Sequence, residues 1–307
     1  MVFKIGCCGF PTSKVKYFKA FNLVELNSTF YTYPKLTLAK KWKEEAPPDF
    51  EFTVKAHQDI SHNYKLADSL DCLKAFNQMK AICSTLDAKI LLIQTPGSFK
   101  PTKENIAVAQ KFFKKIHRNK LAIAWETRGP DWDQPELRKT LATMLKELDV
   151  THVTDPFKTM PAYVGTFAYF RLHGLGTRMY YYQYSDDELR KLIEKVGPLE
   201  KEGKTVYIFF NNLAMFDDGQ RLNYFLQKNK FPSITGATGL ESVRALIQRT
   251  RYPASKSKLS KLFGWKLVEW GKNEQIPLDN LLKNLPTKTY ESVEEVLFEI
   301  KKSMGIS

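Results

Sequence analysis

The sequence predicts an α/β fold: a (β/α)8 TIM-type barrel followed by a small, mainly helical C-terminal appendage. Three observations carry that expectation. Eight short apolar runs punctuate residues 1–238, stretches of helical periodicity separate them, and seven of the eight end on a side chain able to do chemistry. Strands alternating with helices pair in parallel, and eight such units close into a barrel whose C-terminal strand ends converge on one mouth. A buried strand gains nothing in packing by ending on Lys, Glu, Asp or His. The pattern therefore locates a site better than it names a reaction.

The runs are IGCCG (5–9), LVELNS (23–28), FTVKAH (52–57), ILLIQ (90–94), LAIAWE (121–126), THVTD (151–155), YFRLH (169–173) and VYIFFNN (206–212). Between them, Leu66, Leu70, Leu73, Phe76, Met79 and Ile82 recur at three- and four-residue steps, the apolar stripe of a helix over 66–84. Ile106, Ala109, Phe112, Phe113 and Ile116 repeat this over 103–117, with Thr102 as N-cap. Residues 134–147 follow Asp133 as a cap, and Pro135 sits in the first turn, where its missing N–H costs nothing. Ser185 precedes DDELRKLIEKV, which puts acidic residues at the positive end of that helix dipole. Residues 36–45 and 217–229 supply further helices. Those after strands one, two and seven are short or follow long loops.

The barrel is expected to end near Thr238, a natural size for this fold, so residues 1–238 form one domain and 239–307 a second, α-rich one. In the latter, GLESVRALIQRTRYP reads as a helix stopped by Pro253, and ASKSKLSKLFGWKLVEW as a short helix running into a strand. The final ESVEEVLFEIKKSMG places Val293, Val296, Leu297, Ile300 and Met304 on one helix face.

Composition bounds compartment and partner. No apolar run approaches the roughly twenty residues needed to span a bilayer, and the N-terminus enters a strand without the features of a secretion signal. The four cysteines, Cys7, Cys8, Cys72 and Cys83, form neither a disulfide framework nor a CxxC pair, as expected of free thiols in a reducing cytoplasm. The net charge of +14 is uneven: residues 1–120 carry 20 Lys/Arg against 10 Asp/Glu, whereas residues 121–239 carry 15 of each. Such asymmetry is the footprint of a nucleic acid or other phosphate-rich ligand, or else lysine-rich faces that keep the protein soluble.

At the expected mouth, Glu25 and Asn27 share strand parity, as do Lys55 with His57 and Arg171 with His173. The candidate catalytic groups are Glu126, Lys55, His173 and Asp155. A carboxylate beside Lys or Arg stays ionised and serves as base or metal ligand, and a lysine in a dry barrel has a lowered pKa. The structural alternative is that Glu126 pairs with Arg128, Arg171 or Lys55 in a buried ion network. Candidate substrate-binding residues are Asn27, Tyr31, Gln94, Arg128, Arg171, Tyr180, Tyr182, Asn211 and Asn212. The loop carrying Tyr180, Tyr181, Tyr182, Tyr184 and Arg178 is suited to stack a base or sugar and hold a phosphate. Phe30, Tyr33, Phe99, Trp132 and Phe157 lie on other mouth-side loops, and Gly174 and Gly176 suit a close backbone approach to phosphate. For a divalent metal, the candidate ligands are His57, His62, Glu126, Asp155 and His173, the N/O set of hydrolytic barrels, although no HxH or HExxH spacing links them.

The succession Val24-Glu25-Leu26-Asn27-Ser28-Thr29-Phe30-Tyr31, then Phe52-Thr53-Val54-Lys55-Ala56-His57, resembles the domain-of-unknown-function 72 family, the YecE-like proteins. The resemblance continues through Leu92-Ile93-Gln94-Thr95-Pro96, Glu126-Thr127-Arg128-Gly129-Pro130, Tyr169-Phe170-Arg171-Leu172-His173-Gly174 and Val206-Tyr207-Ile208-Phe209-Phe210-Asn211-Asn212, covering most of residues 1–230. It implies a TIM-type barrel and brings no defined activity. Cys7-Cys8 departs from the small or hydroxyl residues usual in that strand. The segment from Gly239 onward lies outside the family pattern and is a candidate contact for a partner protein.

Three readings stay open. The leading one is a cytoplasmic barrel acting on nucleic acid, by phosphodiester hydrolysis or lesion processing. Fold-level analogy to the xylose-isomerase-like apurinic-site endonucleases fits it, with fewer histidines here. The second is an enzyme for a small phosphorylated or sugar-like metabolite, with Lys55 or Glu126 as base. The third is a non-catalytic nucleic-acid-binding barrel.

Overall fold

The structure, a computed structural model, describes residues 3–272 and 274–305. By contact the chain divides into two compact units, Met1–Leu172 with Leu192–Asn211, and His173–Lys191 with Asn212–Ser307.

In the first unit, strands β1 (Phe3–Cys8), β2 (Leu23–Leu26), β3 (Glu51–Lys55), β4 (Ile90–Gln94), β5 (Ala122–Glu126), β6 (Val150–Thr154), β7 (Phe167–Leu172) and β8 (Thr205–Phe210) close a barrel in chain order. Every pairing is parallel, and β8 returns to β1 with Phe3 opposite Val206. The helices between them are α1 (Lys14–Ala20), α2 (Leu36–Glu45), α3 (Leu70–Leu86), α4 (Lys103–Lys115), α5 (Pro135–Leu148) and α6 (Asp186–Lys201). Residues 155–166 join β6 to β7 without an α-helix. Cys8, Leu92, Phe167, Tyr169, Tyr207 and Phe209 belong to the packed core that fills the barrel, as strand parity requires. Gly6 lets β1 and β2 approach, since a Cβ there would stand 2.7 Å from the Leu23 carbonyl oxygen.

The helix signals translate into local bonds. Thr102 accepts from the Asn105 amide at 3.2 Å. Ser185 and Glu188 bond reciprocally, with Glu188 N–H to Ser185 Oγ at 3.2 Å and Ser185 N–H to Glu188 Oε2 at 2.8 Å. This capping box opens α6. One expectation fails. Asp133 lies in a short turn, Pro130–Asp133, and the cap of α5 is Gln134, which makes no side-chain cap bond.

The second unit has its own core, including Val243, Ile247, Val268, Leu282, Tyr290 and Val296. Around it lie α7 (Met215–Lys228), α8 (Leu240–Ile247), β9 (Ala254–Ser255), α9 (Lys256–Phe263), β10 (Leu267–Gly271), β11 (Glu274–Pro277), α10 (Asp279–Leu282), β12 (Thr289–Tyr290) and α11 (Val293–Ser303). β10 pairs with β11 and β12 with β9, both antiparallel. Met304, expected on the apolar face of the last helix, is 44% exposed because the helix ends at Ser303. By contact, α7 and the loop after β7 group with the C-terminal residues. Among the described residues no helix is long and apolar enough to cross a membrane. The four cysteines are free and buried.

Candidate functional site: a charged network at the barrel mouth

The C-terminal ends of β2, β5 and β7 deliver Glu25, Glu126 and Arg171 to one buried network. Arg171 binds Glu25 through Nη2 to Oε1 (2.9 Å) and Nε to Oε2 (3.0 Å), and Glu126 through Nη1 to Oε2 (2.6 Å). Glu25 further accepts from Tyr169 Oη (2.6 Å) and Asn27 Nδ2 (2.7 Å), and Tyr169 meets Thr53 Oγ1 at 3.0 Å. Burial alone would raise the Glu25 carboxyl. The Arg171 guanidinium, with the bonds from Tyr169 and Asn27, outweighs burial and holds it below the usual carboxylate range. Arg128, just past β5, donates Nε to Glu126 Oε1 at 2.8 Å and Nη2 to Gln94 at 3.3 Å. Asn27, Gln94, Glu126, Arg128 and Arg171 are thus brought together, with Glu126 in the ion network that was the alternative to a free base.

Lys55 differs from every other charge here. It ends β3, is 8% exposed, and its Nζ lies 4.0 Å from the Phe30 ring centroid. Among the described residues its amine makes no hydrogen bond or ion pair. Burial, with Arg171 nearby, brings its pKa down to about 8 against the upward pull of Glu25 and Glu126. Its positive neighbours also act on His62. Burial, then Lys55 and Arg128, lower that imidazole below its ordinary value.

The metal candidates do not converge. His57 stacks on Tyr33 with centroids 3.8 Å apart and its Nδ1 lies 3.1 Å from Asp59 Oδ2. His62 bonds Ser61 at 2.8 Å and packs edge-on against Phe30. Glu126 is held by two arginines, and Asp155 Oδ1 accepts from the Phe157 amide at 3.1 Å. Among the described residues no three His, Cys, Asp or Glu side chains gather to hold a metal ion. The residues present therefore do not fit the expected divalent site. Phe99 and Trp132, expected at the mouth, are 2% and 1% exposed and stack with each other, so they pack the interior. Tyr31 is 71% exposed, and Asn211 follows β8 with its N–H on the Leu172 carbonyl at 2.7 Å.

His173, Tyr180, Tyr182 and Asn212 belong to the second unit. His173 is buried, with the Tyr180 ring tilted against it at 6.1 Å. Asn212 donates to Tyr182 O (2.8 Å) and Asp218 Oδ2 (2.7 Å), a structural role beside Arg221. Gly174 and Gly176 make room for Tyr182 instead of phosphate. A Cβ on Gly174 would stand 2.5 Å from Tyr182 Cβ, and φ there is +92°. Residues that sequence reasoning missed are Tyr169 and Thr53, each two positions before a recognised mouth residue and so of the same parity.

The model of the family described as "Protein of unknown function DUF72" matches residues 15–230. The chain is 25% identical over 224 residues to the UPF0759 protein YunF of Bacillus subtilis, which spans 64% of this chain and 79% of that relative. A solved DUF72 family protein of Enterococcus faecalis superposes with TM-score 0.62 at 25% identity, covering 74% of this chain and 97% of the other. Another, from Thermotoga maritima, gives 0.60 at 24% identity, covering 74% and 100%. With a closed eight-stranded barrel and a match over most of its length, this chain belongs to the DUF72 family of proteins of unknown function.

Proposed function

We propose that the barrel mouth is the active site of an enzyme for a small carbonyl-bearing metabolite, sugar-like or phosphorylated, with Lys55 as the reactive group. The observation that carries this reading is the state of Lys55. It is a buried amine, unpaired among the described residues, at a C-terminal strand end, while the charges around it are bonded to one another. A desolvated lysine beside other cations is the arrangement that activates an amine. At pH 7 a pKa of about 8 leaves roughly a tenth of the amine neutral, against a few in ten thousand for an ordinary lysine. The neutral Nζ adds its lone pair to the carbonyl carbon, and the neutral carbinolamine takes up one proton from solvent on its hydroxyl, which leaves as water to give an iminium. The Glu25–Arg171–Glu126 network fixes the charge around the amine.

The polyanion reading drawn from the charge count fits this mouth less well, because Arg171 and Arg128 spend their donors on Glu25, Glu126 and Gln94. Incubation with a panel of aldoses, ketoses and sugar phosphates under borohydride, followed by peptide mass spectrometry, tests the proposal. The expected result is one reduced adduct on the peptide carrying Lys55, lost in Lys55→Arg. Adducts spread over surface lysines, with Lys55 unlabelled, would overturn it.

A further inference from the structure

Within the second unit, a cleft of about 400 Å³ is lined by Arg178, Tyr181, Gln183, Lys261, Trp265 and Gln275, among others. An adjoining, more open cleft of about 490 Å³ shares Arg178 and Lys261 and adds Lys256. Volumes of this size suit a small ligand.

Among the described residues, the cations and side-chain amides of the lining have donors left unspent. The Arg178 guanidinium lies over Tyr181 with Cζ 3.2 Å from the ring centroid, and among the described residues it makes no ion pair or hydrogen bond. Lys261 is exposed and likewise unpaired among them. Gln183 and Gln275 turn their side-chain oxygens onto the amides of Leu267 (3.0 Å) and Asp186 (2.8 Å), which leaves both NH2 groups as spare donors. The two carboxylates of the lining are already engaged: Glu188 accepts from Tyr182 and Ser185, and Asp279 from Ser260. Trp265 meets Tyr181 edge-on at 6.1 Å, with the Lys266 ammonium 5.4 Å from its own ring centroid. A ligand matching this surface is anionic, rich in acceptors and planar in part.

We propose that this cleft binds a nucleotide, with the base against Trp265 and Tyr181 and the phosphate on Arg178 and Lys261. Stacking and a cationic groove together are how proteins hold single nucleotides and unpaired strands. An acidic peptide would satisfy the cations and the amide donors but leave the rings unstacked. The site lies in residues 173–191 and 212–307 and does not depend on the Lys55 reading. A free nucleotide and one unit of a single strand present the same chemistry, and the measurement separates them.

Calorimetric titration of the full chain with the four ribonucleoside monophosphates, ribose 5-phosphate, a six-nucleotide RNA and a poly-glutamate peptide tests this. The mononucleotides bind at least about tenfold tighter than ribose 5-phosphate, because the base contributes by stacking. Trp265→Leu and Arg178→Gln each weaken binding by about tenfold or more. The exposed Lys261→Gln, which leaves the core untouched, weakens it severalfold even if Trp265→Leu fails to fold. Tighter, salt-sensitive binding of the RNA identifies a strand as the source, and equal or tighter mononucleotide binding identifies a free nucleotide. Absence of nucleotide and RNA binding at millimolar concentration, ribose 5-phosphate or poly-glutamate matching the nucleotides, or indifference to all three variants would overturn the proposal.

Discussion

Arg171 on β7 and Glu25 on β2 join two strands that are not neighbours in the barrel, through a guanidinium 1% exposed and a carboxylate 0% exposed, 2.9 Å apart. Each charge tolerates burial because the other is there, and Tyr169, Asn27 and Glu126 satisfy most of what remains.

Breaking that pair leaves the buried Arg171 guanidinium to share the Glu126 carboxylate with Arg128. Glu25→Gln should destabilise the barrel by roughly 3–5 kcal/mol, read from urea unfolding. Arg171→Lys should also fail to rescue stability, since an ammonium lacks the fork that holds two carboxylates at once. A loss below about 1 kcal/mol in Glu25→Gln would mean that the network is solvated.

Glu126 accepts from Arg171 and Arg128, so Glu126→Gln should lower stability by roughly 3 kcal/mol. It also removes a carboxylate that raises the Lys55 pKa. The pH profile of borohydride trapping should therefore move to lower pH. An unmoved profile, with full stability, would separate Glu126 from Lys55 altogether.

Lys55 gives a pH signature in stability. Its folded pKa of about 8 lies below the unfolded value, so the unfolded chain binds more protons between pH 8 and 10.5. Stability then rises with pH across that window, and the penalty of the buried ammonium is fully present below about pH 8. Lys55→Met should be more stable than the parent by up to about 3 kcal/mol at pH 7. The difference should vanish above pH 10.5, as chemical denaturation at several pH values will show.

Much of this was legible before any coordinates. The eight runs and the helix stripes between them define the barrel, because a strand buried on both faces leaves a continuous apolar signal. Parity at strand ends brought Asn27, Lys55, Gln94, Glu126 and Arg171 to one rim. The partners were not legible. Glu25 and Arg171 are 146 residues apart, and nothing local marks a carboxylate whose counter-charge comes from another strand. Aromatic residues misled in a definite way. Phe99 and Trp132 read as mouth residues because a ring that seals a core and one that stacks a ligand have the same chemistry and the same loop positions. Their mutual stacking, a tertiary fact, decides it. In the loop carrying Tyr182, Gly174 and Gly176 let the chain fold back closely on Tyr182, an approach that two glycines at that spacing do not announce.

The reactive state of Lys55 is open to direct titration. Lysines labelled with 13C at Cε, the Lys55 signal identified by its loss in Lys55→Arg, report protonation residue by residue in NMR spectra. A midpoint near pH 8, well separated from the surface lysines, is the expected result. A midpoint near the ordinary lysine value of about 10.4 would show an amine that stays charged, and would contradict its role as the nucleophile.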